Sequence, residues 1–178
     1  MTVRLLDERS SPSLRDVLGV GLARAAEADF AIGRIRLFGI DLTAAELGAV
    51  RRCRVLIGRL DVETLTARPP EVTDRSAHLR VLRDFLESGR LEVRAAGLQE
   101  WAPDFSILRG IEGLRSGGFA LFGAHYFSRP YPIDGAVFTC FLTDPRAIAA
   151  LEARFEEAWR RSYNVDAVIR ESIDRFLD

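Results

Sequence analysis

Apolar residues recur at helical spacing in four stretches of this chain and form short dense runs between them. In 14–24, Leu14, Val17, Leu18 and Leu22 share one face, the spacing of an amphipathic helix. Ser10-Ser11-Pro12-Ser13 just before it reads as the helix entry. A second helix is predicted over 76–88, with His78, Leu79, Leu82, Phe85 and Leu86 on its face and Gly89 ending it. A third opens at Asp144-Pro145, where proline suits the first turn, and runs to about Tyr163 on a face of Ile148, Leu151, Phe155 and Trp159. A fourth spans 165–177 with Val165, Val168, Ile169, Ile173, Phe176 and Leu177 on one stripe. The runs 30–38, 53–58, 91–94, 105–108, 119–122 and 136–142 read as strands. Thr43 and Glu46 have capping-box spacing for a short helix. The segment 60–75, with Pro69-Pro70, reads as a flexible loop.

Helices and strands alternate in the first half; three strands and two helices fill the second. The fold class expected is α/β, a single-domain sandwich with a mixed sheet flanked by helices. Residues 1–13 are expected to be a lead-in, and 14–178 the domain with its C-terminal helices. The composition fits one globular domain: 178 residues, 48% hydrophobic, 29% charged, net charge −1. Apolar runs are broken well before membrane-spanning length, so no membrane insertion is expected. The first nine residues carry acids where a secretory signal needs an apolar stretch; a cytoplasmic location is expected. Cys53 and Cys140 then read as thiols rather than a disulfide. With two histidines and two cysteines, none of them close together in sequence, no metal and no cofactor is expected. All 25 basic residues are arginine. That excludes any Schiff-base lysine or P-loop lysine.

Three local patterns carry a resemblance. Residues 79–94, LRVLRDFLESGRLEVR, place a helix, a glycine and a strand in succession. Residues 119–126, FALFGAHY, place a strand before a glycine turn. Phe155 and Trp159 sit four apart in the penultimate helix. In this order, over roughly residues 14–163, they resemble a phospholipase D-like domain. The resemblance implies a site built from a His-x-Lys pair and a Gly-Ser-x-Asn turn, completed by a second copy. It places Asp104 at the histidine, Ser106 at the lysine, and Gly123, Ala124 and Tyr126 at the glycine, serine and asparagine. Only the glycine is kept. Carboxylate in place of imidazole, and hydroxyl in place of ammonium, remove the groups that attack and clamp a phosphodiester. The resemblance therefore implies a catalytically inactive, dimeric binding, regulatory or scaffolding domain.

Other readings stand beside it. His125 and Asp104, with Arg129 or Arg109 as anion clamp, could run an altered hydrolase chemistry if they converge. The plain readings are a loop histidine and a turn aspartate after Pro103. Trp101 could cap a pocket or belong to the core. His125, Tyr126, Arg129, Arg109, Arg34 and Arg36 are the binding candidates. Arg34 and Arg36 on one strand, with Arg52, Arg54 and Arg59 on or beside the next, would form a basic stripe if their faces met. The bland alternative pairs them with acids. A net charge of −1 gives no bulk attraction to nucleic acid, which is possible but not favoured as a partner. The loop 127–135 is either a recognition edge or a plain connection. The stripe of the last helix packs on its own domain by default; docking a protein partner or a second copy is the alternative.

Overall fold

The computed structural model describes residues 3–6, 13–35, 37, 43–66, 76–97, 104–114, 116–123 and 139–177, with backbone alone at 3–6. The elements run β1 (Val3–Leu6), α1 (Leu14–Leu22), β2 (Glu27–Ile32), α2 (Ala44–Leu47), β3 (Arg52–Ile57), α3 (Val62–Thr66), α4 (Ser76–Glu87), β4 (Leu91–Ala95), β5 (Phe105–Arg109), β6 (Gly118–Gly123), β7 (Thr139–Leu142), α5 (Pro145–Arg160), β8 (Tyr163–Asn164) and α6 (Asp166–Leu177). The strands form one eight-stranded mixed sheet in the order β1-β7-β6-β5-β2-β3-β4-β8. The strands β2, β3 and β4 are parallel; β5 joins β2 antiparallel, and β6, β7 and β1 continue antiparallel. This is a single-domain α/β architecture with helices on both faces of the sheet.

Each helix start has a local cause. Ser13 and Asp16 form a reciprocal capping box at α1, and Thr43 and Glu46 form another at α2. Asp144 accepts from the backbone N–H groups of Arg146 and Ala147 at 3.0 Å and leaves Pro145 in the first turn of α5. Gly89 takes φ +70 after α4, as a helix-ending glycine can.

The alternation of strand residues separates two cores. One face carries Ala28, Phe30, Val55, Ile57, Val93, Leu108 and Leu121 and is covered by α1, α2, α3, α4 and α6. The other carries Ala31, Leu56, Phe105, Ile107 and Ala120 under Ile148, Phe155 and Trp159 of α5.

Several sequence expectations shift. The first strand, expected over 30–38, lies at Glu27–Ile32: its early acids are paired within the sheet, and the strand ends before Gly33. The stretch expected as a lead-in contains β1, which pairs with β7. Part of the segment expected as a loop is α3. The helix expected to reach Tyr163 stops at Arg160, because Ser162 Oγ turns back to the Trp159 carbonyl and Tyr163–Asn164 pair with β4. The stripe of α6 follows the default reading instead and packs into the chain's own core through Val165, Ile169 and Ile173.

Candidate functional site

The carboxyl ends of β2 and β6 and the starts of β5 and β7 meet at one end of the sheet. Gly33 follows β2 directly, and its N–H donates to Asp104 Oδ1 at 2.7 Å. The Gly123 N–H donates to the Asp104 carbonyl at 2.8 Å, and Gly123 pairs in turn with Thr139. Asp104, Gly123 and the buried Thr139 thus form one row across three adjacent strands. Ser106, two residues along β5, lies on the same face between Phe30 and Leu121. Its side chain is fully buried, and its Oγ has no hydrogen-bond partner among the described residues. The positions compared with the histidine, lysine and first glycine of the family motif therefore lie together. What stands there is a carboxylate anchored to backbone, a neutral hydroxyl and a glycine with φ 127. Such a row can accept and donate hydrogen bonds but presents no cation. Ala124, His125, Tyr126, Arg129, Arg36, Trp101 and the loop 127–135 lie outside the described residues.

Arg109 does not belong to this end. It closes β5 five residues beyond Asp104, about 17 Å away at strand rise, so the grouping of Asp104 with Arg109 is corrected. Its guanidinium is held by Asp29, Glu27 and Glu152, with Nη1 at 3.2 Å from Glu152 Oε1. Arg54 is also buried. Its Nε and Nη2 meet the two Asp29 oxygens at 2.7 Å, and Nη2 reaches Glu156 at 2.6 Å. The Arg54 guanidinium also lies 4.7 Å from the Phe155 ring centroid and 5.2 Å from that of Trp159. Burial works against the charge of both arginines, but the carboxylates outweigh it and raise both pKa values. Among the described residues, Arg34, Arg52 and Arg54 therefore do not line up as the basic stripe that the sequence left open. Arg54 points into the core under α5, Arg52 is exposed at the start of β3, and Arg34 lies past the end of β2 at the opposite end of the sheet. The signal that sequence reading missed was Asp29, an acid inside an apolar run that is 2% exposed.

His78 sits half-buried on α4 beside Leu79 and Leu82. Burial, and then the charge of Asp29, push the Cys53 thiol far above its ordinary range, so it is no nucleophile. Among the described residues, no three His, Cys, Asp or Glu side chains cluster as metal ligands, and no helix is long and apolar enough to cross a membrane.

Comparison with known proteins defines the class of fold. No family model matches the chain, and no curated protein matches it by sequence. Solved structures do. The phospholipase D family member Nuc from Salmonella typhimurium superimposes with a TM-score of 0.56 at 12% identity, over 92% of this chain and 97% of its own. NucT from Helicobacter pylori gives 0.58 at 11%, over 92% and 99%. TrmBL2, an archaeal chromatin protein whose structure shows a mode of DNA binding, gives 0.56 at 16%, over 93% of this chain; this chain spans about half of TrmBL2, 54% of its length. The chain has the phospholipase D-like fold. At these identities the likeness defines the fold alone.

Proposed function

We propose that this chain is a catalytically silent phospholipase D-like domain that binds a ligand or partner, as a homodimer, in a regulatory or scaffolding role. The observation that carries the reading is Asp104. At the position that the resemblance compares with the imidazole nucleophile stands a carboxylate whose Oδ1 accepts the Gly33 N–H. A carboxylate held by a backbone N–H is no imidazole nucleophile, and Ser106, a buried hydroxyl, is no ammonium clamp. No lysine elsewhere in the chain could take over the clamp. The purified protein is expected to show no turnover of bis(p-nitrophenyl) phosphate, and light scattering is expected to give twice its 19.9 kDa mass. Robust turnover that vanishes on Asp104→Ala would overturn the catalytic part, and a monomeric mass the dimeric part.

A second reading, an accessory nucleic-acid-binding protein, is favoured by the likeness to TrmBL2. It requires affinity for DNA that falls steeply as salt rises, the signature of counterion release. Absence of a gel shift at low salt would remove it.

A further inference from the structure

We infer that Arg34 and Arg59 form an anion-binding pair at the carboxyl ends of β2 and β3, and that their ligand carries a phosphate group. The inference rests on the reading that this end of the sheet binds rather than cleaves, and it assigns the ligand chemistry to residues outside the compared motif.

The backbone places the two arginines side by side. Ile32 and Ile57 are the last paired residues of the parallel strands. Beyond them the Gly58 N–H donates to the Ile32 carbonyl at 2.8 Å, and the Arg59 N–H donates to the Gly33 carbonyl at 3.1 Å. The two chains therefore leave the sheet together, and each turns out an arginine one residue past its glycine.

Both arginines are exposed. Neither makes an ion pair, a side-chain hydrogen bond or a ring contact with any described residue, unlike Arg15, Arg54, Arg94 and Arg109, each of which holds a carboxylate. Two acids lie close in sequence or space, and neither pairs with them. Asp104 Oδ1 takes the Gly33 N–H, and Asp61 Oδ1 takes the Glu63 N–H at 3.2 Å at the start of α3.

Like charges on neighbouring strands repel. A shared anion turns that repulsion into attraction, and a guanidinium presents parallel N–H donors that match phosphate oxygens. Carboxyl ends of parallel strands in open α/β sheets are where ligands dock.

The test measures equilibrium binding of inorganic phosphate by calorimetry, and of a labelled single-stranded oligonucleotide by anisotropy at about 50 and about 200 mM salt. The proteins are the wild type, Arg34→Gln/Arg59→Gln, and Arg170→Gln on the remote helix α6 as control. Binding of either probe by the wild type, weakened about tenfold or more in the double variant and unchanged in the control, is the expected result. Binding of phosphate identifies a small phosphorylated ligand, and binding of the oligonucleotide alone identifies a strand backbone. An unchanged melting temperature keeps the double variant interpretable; if it melts early, the single Gln variants are measured in its place. Wild-type-like affinity in the double variant, or no binding of either probe by the wild type, overturns the inference. Turnover of bis(p-nitrophenyl) phosphate alongside arginine-dependent binding sinks the silent-domain reading and leaves the pair standing.

Discussion

Asp29 ties two arginines to the sheet from inside the protein. It is buried mid-strand and accepts from both Arg54 and Arg109, which in turn reach Glu156 and Glu152 of α5. Neutralising it removes the one buried carboxylate both guanidinium groups share and leaves them only the more exposed Glu156, Glu27 and Glu152. Asp29→Asn is expected to cost about 3–5 kcal/mol, the scale of breaking a buried ion pair from one side, read as a shift of the urea midpoint at constant slope. The sequence reading began the strand at Phe30 because an acid in an apolar run looks like a break. The partners that make it a strand residue lie 25 and 80 positions away. The same blindness made Arg54 a candidate for a basic stripe: strand parity was readable, but the carboxylate across the pairing was not.

Elements were legible wherever their start or stop is encoded locally. The Ser10-Ser11-Pro12-Ser13 entry, Thr43 with Glu46, and Asp144-Pro145 announced three helices, and the structure has all three. Strands whose reason is a distant neighbour escaped: β1 exists through β7, and the two-residue β8 through β4. The candidate site was half legible. Asp104, Ser106 and Gly123 lie at one sheet end, whereas Arg109, read with His125 and Asp104 as an anion clamp, is carried by β5 to the other. At this scale the β5–β6 hairpin depends on Gly118, where an added Cβ would lie 2.1 Å from the Leu108 carbonyl oxygen. Backbone cannot yield as a flexible side chain does. Gly118→Ala is expected to lower stability by at least about 1–3 kcal/mol, seen as an earlier thermal transition, whereas Gly89→Ala, which meets nothing within 4 Å, suffers only from its φ of +70.

For the whole molecule, acid stability is set in part by the contact between the first two helices. Glu46 bridges Arg15 of α1, with Nη2 at 3.0 Å from Oε2, while also accepting the Thr43 N–H. Partial burial opposes its charge, but the bonds from Arg15 and Thr43 outweigh it and hold the carboxyl below its ordinary value of 4.5. A depressed pKa means the folded state releases this proton more readily than the unfolded chain. Its contribution is therefore full above that ordinary value and fades as pH falls through the folded one. Glu46→Gln is expected to lose stability at pH 7 and to approach the wild type as pH falls well below 4.5; a deficit that does not shrink with acid would show that the carboxylate's charge contributes nothing.

The strand β2 is the seam of the molecule. On one edge it closes the parallel trio with β3 and β4; on the other it opens the antiparallel series through β5. Neither half has a second strand that touches the other, so any distortion of residues 27–32 is felt in both directions at once. The same strand carries the buried Asp29 ion pairs at its middle and leads into Gly33 and Arg34 at its carboxyl end. A ligand seated there would press on the one rod that joins the two halves, and its arrival could be sensed across the width of the sheet.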